Sequence, residues 1–126
     1  MTLRPIQTSG APQAVGPYSQ GVAAGAMVFT SGQLPMTPTG EMVRGDIEAA
    51  ARQALENLRA VLEAAGARLA DVVKVTIYLV DIADFASVNR VYGEFFSAPY
   101  PARSCVAVAR LPLDAELEIE AAATLP

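Results

Sequence analysis

Arg103 stands in the stretch Pro101-Ala102-Arg103-Ser104-Cys105-Val106-Ala107-Val108, where a proline-rich loop runs into an otherwise apolar strand. A guanidinium stays ionised, so its burial needs an anion beside it. Two kinds of anion fit. One is an acid of the same chain, from the row Glu116, Glu118 and Glu120. The other is the carboxylate of a ligand, which an arginine grips bidentately and so fixes in position and plane. On the second reading Glu118 is a general base or proton relay, and Tyr18, Ser31, Asn89 and Cys105 are further lining. A backbone NH near Gly32 would support the same anion. Those parts suffice to add water to an electrophilic carbon beside a carboxylate, without metal or cofactor.

Each residue also has a plainer role. Spacing alone favours the internal salt bridge for Arg103. Tyr18 reads equally as a half-buried ring with its hydroxyl in solvent, Gly32 as a turn, and Asn89 as an amide bonded to a nearby loop. Cys105, the single cysteine, reads as a small buried residue. With no histidine in the chain, it lacks the usual base of a cysteine nucleophile.

The elements that must position these residues follow from hydrophobic period and turn chemistry. Residues 3 to 7 form a short strand, and Gly10-Ala11-Pro12 and Gly16-Pro17 mark an irregular loop that ends near Tyr18. Val22 to Ala24 and Met27 to Ser31 read as a hairpin turning at Gly25-Ala26. A helix is expected from Ile47 to Ala65, capped by Asp46 and stopped by Gly66, with Arg52–Glu56 and Arg59–Glu63 as pairs along it. Val72 to Val80 is a strand, and a second helix from Asp84 to Phe96 buries Phe85, Val88, Val91, Tyr92, Phe95 and Phe96, with Asn89 inside that stripe. After the arginine strand, Glu116 to Thr124 reads as a strand with Leu117, Ile119, Ala121 and Ala123 on one face and Glu116, Glu118 and Glu120 on the other.

The order ββ(β)-α-β-α-β-β gives an α+β sandwich of two layers, one mixed sheet with two helices packed on one face. The other face is then expected to carry Arg103, Cys105 and the glutamate row, or part of them, and to meet another subunit if it is apolar enough.

Totals exclude several alternatives. The 126 residues, 52% hydrophobic and 17% charged, suit one domain over 1–126 with its own core. A net charge of −4 gives no footprint for nucleic acid. One cysteine and no histidine cannot build a zinc site of nitrogen and sulfur ligands. The chain lacks GxGxxG, GxxxxGK[ST] and GxSxG stretches, so nucleotide cofactors and serine hydrolysis have no support. It also has no run of apolar residues long enough for a signal peptide or a membrane span, which makes a cytoplasmic protein the expectation.

Several motifs in order resemble the RidA (YjgF) family. They are Gly16-Pro17-Tyr18-Ser19-Gln20, Thr30-Ser31-Gly32-Gln33-Leu34-Pro35, Gly45-Asp46-Ile47, Arg52 to Leu58, Val88-Asn89 with Tyr92, Pro101 to Val106, Val108 to Pro112, and Glu118-Ile119-Glu120-Ala121. The resemblance spans nearly the whole chain. It implies a chorismate-mutase-like fold, a homotrimer with clefts between subunits, and cofactor-independent deamination of reactive 2-imino acids (2-iminobutanoate, 2-iminopropanoate) to 2-oxo acids and ammonia. Arg103 would then bind the substrate carboxylate, helped by the backbone around Gly32 and Cys105. Glu118 would activate the attacking water, and Tyr18, Ser31 and Asn89 would line the cleft. The loop Ser97 to Tyr100 looks shorter than in bacterial members, which bears on substrate size. A non-enzymatic module that holds a small carboxylate in the same cleft is the competing function. The ribonuclease activity sometimes attached to this family fits poorly with the acidic charge and absent histidine.

Overall fold

A computed structural model describes residues 2–126. Its strands are β1 (Leu3–Ile6), β2 (Gly21–Ala24), β3 (Met27–Thr30), β4 (Val72–Leu79), β5 (Ala102–Ala107) and β6 (Leu117–Thr124), and its α-helices are α1 (Ile47–Ala64) and α2 (Phe85–Phe95). The strands form one sheet in the order β1-β2-β3-β6-β4-β5. β4 and β5 are parallel, joined through α2, and the other neighbours are antiparallel.

Local chemistry accounts for the boundaries. The Asp46 carboxylate accepts from the Ala49 N–H at 3.1 Å and caps α1. Gly66, at φ +94°, turns the chain out of it. The β2–β3 hairpin closes through Gly25-Ala26, with Ala24 opposite Met27 and Gly25 at φ +59°. Leu55, Leu58, Val61 and Leu62 of α1 are fully buried with Val75, Ile77, Leu117 and Ile119 of the sheet. Burying such side chains is worth about 1.5–3 kcal/mol each. The charged face of α1 differs from expectation in its partners. Arg52 pairs with Glu94 of α2 at 2.8 Å, because α2 lies alongside, and Arg59 pairs with Glu56 instead of Glu63.

Register decides which side of the sheet each polar residue occupies. On β6, Leu117, Ile119, Ala121 and Ala123 are buried under the helices, so Glu118 and Glu120 project from the open face. On β5, Arg103 lies beside Val75 and Cys105 beside Ile77. Those β4 neighbours are core residues, so Arg103 and Cys105 face the helices too. The expectation that the uncovered face carries Arg103 and Cys105 is therefore corrected, while its glutamate part holds. The cause is the parallel β4–β5 pairing, which the alternation within β5 alone does not reveal.

The open face also carries Phe29 and Val106, 46% and 43% exposed, and the Tyr78 hydroxyl donates to Glu120 Oε1 at 2.8 Å. No second layer of the described chain covers it. Among the described residues, no helix is long and apolar enough to cross a membrane.

Candidate functional site

Glu118 rises from the open face of β6 into a cleft of about 550 Å³ shared with Tyr18, Ser31, Gly32, Met36 and Leu113. The segment after β3 is stitched to β6 by the Gln33 N–H donating to Ile119 O at 2.7 Å and the Ile119 N–H donating to Gln33 O at 3.1 Å. That bridge presses Gly32 against the Glu118 side chain. A Cβ at position 32 would lie 2.6 Å from Glu118 Cδ and 2.7 Å from Oε2, so the carboxylate keeps its place because residue 32 is glycine. The Gly32 N–H meets no acceptor among the described residues. Burial raises the Glu118 pKa above the ordinary carboxylate range, and the charge of Glu120 raises it further.

Buried amides hold the cleft walls. Gln20 donates to the carbonyls of Thr8, Ala11 and Pro12 and accepts from the Thr8 N–H, which shapes the irregular loop ahead of Tyr18. Asn57 sits fully buried on α1 and donates to Leu34 O and Met36 O, at 3.1 and 2.7 Å. The Ser31 hydroxyl donates to Ser19 O at 2.5 Å, and the half-exposed Tyr18 phenol accepts from the Val15 N–H at 3.4 Å.

Arg103 has different surroundings. Its guanidinium carbon lies 4.7 Å from the ring centre of Tyr92 and 5.5 Å from that of Phe85, both on α2. These are cation–π distances, and no carboxylate among the described residues lies within ion-pair reach of it. The internal salt bridge is thus not formed: Glu118 and Glu120 point to the opposite face. A second pocket of about 470 Å³ opens beside the guanidinium, lined by Asn89, Tyr92, Gly93, Tyr100 and Pro101. Cys105 follows on the same face of β5, its thiol pKa raised by burial and partly offset by the Arg103 charge. A thiol held protonated in this way is a poor nucleophile.

The candidate residues therefore fall into two groups. Tyr18, Ser31, Gly32 and Glu118 share the open-face cleft, while Arg103, Asn89 and Cys105 lie on the helix side. With β4 between them, the strands that carry Arg103 and Glu118 lie about 10 Å apart, and the two side chains point to opposite faces. Within one chain they do not meet. Sequence reading missed the π-contacts of Phe85 and Tyr92, although their seven-residue separation puts them on one side of a helix with Asn89. It also missed the wall-holding role of Asn57, whose signal was an amide within an apolar stripe. Among the described residues, no three His, Cys, Asp or Glu side chains converge as a metal site would require.

Comparison with known proteins gives a consistent result. The family model described as Endoribonuclease L-PSP matches residues 8–125. A curated relative from Salmonella typhimurium, named 2-iminobutanoate/2-iminopropanoate deaminase, is 54% identical over 121 residues, covering 94% of each chain. The Escherichia coli K12 protein of the same name is 52% identical over 121 residues, again covering 94% of each. Among solved structures, E. coli TdcF with bound serine superposes with a TM-score of 0.93 at 49% identity, covering 98% of this chain and 99% of that one. The yeast protein YEO7 superposes with a TM-score of 0.96 at 45% identity, covering 99% and 100%.

Proposed function

The chain belongs to the Endoribonuclease L-PSP family, the RidA family, and from that premise we propose that it deaminates reactive 2-imino acids, such as 2-iminobutanoate and 2-iminopropanoate, to 2-oxo acids and ammonia. The observation that carries this reading is an arginine held by two aromatic rings with no carboxylate among the described residues to neutralise it. Such a guanidinium is kept in position and left free for a bidentate grip on a ligand carboxylate.

In the proposed reaction, Arg103 holds the carboxylate of the imino acid, with the Gly32 N–H as a further donor. Tyr18, Ser31, Asn89 and Cys105 line the cleft around it. Glu118 takes a proton from a water whose oxygen attacks C2 of the imine and passes it to the nitrogen, giving a tetrahedral amino alcohol. Glu118 then takes the hydroxyl proton and delivers it to the amine nitrogen as the C–N bond breaks and the carbonyl forms, so that ammonia leaves and the carboxylate is restored. Burial of Glu118 serves this role, since raising a carboxyl's pKa makes it a better acceptor of the proton it must later return.

Because Arg103 and Glu118 occupy opposite faces, one chain does not complete the site. The reading places it between subunits of a homotrimer, with Arg103 from one copy facing Glu118 of the next. The uncovered face, with Phe29 and Val106 exposed among its polar residues, supports such an assembly. The proposed unit is the whole chain, residues 1–126, as one domain acting in the cytoplasm on small acids, without a cofactor and with neither nucleic acid nor membrane as partner. The serine bound to the TdcF relative fits a site built to hold a small carboxylate. The ribonuclease in the family model's description finds less support, since the net charge is −4 and the chain has no histidine.

The test supplies imine in place from an amino-acid oxidase and follows 2-oxo acid formation. Wild-type protein should speed it, and Arg103→Ala should lower kcat/KM roughly a hundredfold to a thousandfold. Equal rates with the two proteins would remove this reading. Saturable, Arg103-dependent carboxylate binding without imine turnover would select the binding module instead.

A further inference from the structure

The cleft around Glu118 has an apolar half that the reaction above does not use. Among the described residues, Glu118 is the one charged residue lining it, and Pro12, Val15, Leu34, Met36, Pro112 and Leu113 supply half of the rest. Val15 and Leu113 leave 88% and 60% of their surface uncovered, so the chain itself does not bury them. Leu113 is also held in an unusual backbone conformation: its φ is +57°, and that of Asp114 is +53°. Residues with a Cβ rarely adopt the left-handed region, so this turn needs a contact to hold it.

The contact that holds this turn comes from elsewhere in the sequence. Arg44 Nη2 donates to Leu113 O at 2.6 Å, and its Nη1 donates to Asp114 O at 2.7 Å. The next residue, Gly45, donates its N–H to Glu116 Oε1 at 2.9 Å. The guanidinium thus grips the carbonyls of both left-handed residues. The segment before α1 is tied to the segment before β6, and Leu113 is presented to the same cleft as Glu118.

We propose that Arg44 is a positioning residue that fixes Leu113 as one wall of a side-chain subsite, giving the enzyme a preference for 2-imino acids with bulky apolar side chains. The inference rests on the imine-deaminase reading and specifies its substrate class. An isobutyl or benzyl group covers Leu113 and Val15 where the methyl of the alanine-derived imine leaves them exposed. Discrimination of this kind is worth about tenfold or more for the added carbons.

The experiment compares kcat/KM for imines made by an amino-acid oxidase from leucine, phenylalanine and alanine. Wild-type protein should favour the leucine- and phenylalanine-derived imines over the alanine-derived one by about tenfold. Arg44→Ala should bring that ratio close to one, and Arg44→Lys, which keeps one charged donor group, should recover part of it. Leu113→Gly decides the matter even if Arg44→Ala fails to fold. Glycine accepts the left-handed backbone and should melt no lower than wild type, yet it removes the wall and should abolish the preference. A ratio unchanged in Leu113→Gly, or a wild type that favours the alanine-derived imine, overturns the inference and leaves the deaminase reading standing. No turnover of any imine overturns both.

Discussion

The cleft beneath Glu118 and the pocket beside Arg103 are built on opposite principles. Glu118 is a carboxylate crowded by backbone at Gly32 and by the charge of Glu120, and its pKa is pushed up. Arg103 is a cation laid against the faces of Tyr92 and Phe85. Each charged group is held in place without a partner of opposite sign among the described residues. Had the two met within one chain they would have formed a pair, and breaking it for a ligand would be costly. The sheet that divides them keeps both groups available, and the proposed site forms only when a second copy brings the other half.

The comparison breaks most visibly in mixed assemblies. Arg103→Ala and Glu118→Gln proteins should each be nearly inactive alone. Co-expressed in equal amounts, they should regain about a quarter of wild-type activity, because a random neighbour pair supplies one intact Arg103 and one intact Glu118 with that frequency. No recovery in a verified mixed oligomer would show that both residues must come from the same chain.

Gly32→Ala probes the carboxylate half alone. The added methyl collides with the end of a flexible side chain, so the fold should tolerate it with a melting temperature within about 2 °C of wild type. Displacing Glu118 by about an ångström should nevertheless cost about a hundredfold in kcat. Unchanged kcat would detach Glu118 from the chemistry.

Tyr92 probes the arginine half. Tyr92→Leu removes a π-face and should raise KM roughly 3- to 30-fold. Tyr92→Phe keeps the face and loses a hydroxyl that is buried with no hydrogen-bond partner among the described residues, so it should have the smaller effect. If the two variants behave alike, the ring is not what positions Arg103.

The smallest effect is on stability. Glu118 has a folded-state pKa above its unfolded value, so the folded protein holds that proton more tightly. Stability should therefore fall as pH rises from the ordinary glutamate range through the raised pKa. Glu118→Gln should melt above wild type at neutral pH, on the order of a degree or two, with the gain vanishing in acid. A variant that melts lower at pH 7 would point to a stabilising role for the carboxylate.

Most of the architecture was legible in the sequence because its signals are local. Asp46 and Gly66 bound α1, Gly25-Ala26 closes a hairpin, and the acids of β6 alternate with core residues. The family motifs agree with the family model that matches residues 8–125 and with the relatives reported above. What was not legible depends on relations between distant elements. The side of the sheet that Arg103 faces is set by its pairing with Val75, 28 positions away along the chain. The grip of Arg44 on Leu113 and Asp114 spans about 70 residues and has no periodic signature. The expected Arg59–Glu63 pair gave way to Arg59–Glu56, a choice between neighbours that spacing does not distinguish.

The sheet between Arg103 and Glu118 also has a genetic consequence. If each site draws one residue from each of two chains, a chain carrying both defects spoils the two sites it borders. In a mixed population the active fraction then follows the square of the intact fraction, where a self-contained site would follow it linearly. With the site shared in this way, a strand order that puts β4 between β5 and β6 would make an allele carrying both defects partly dominant over a healthy one.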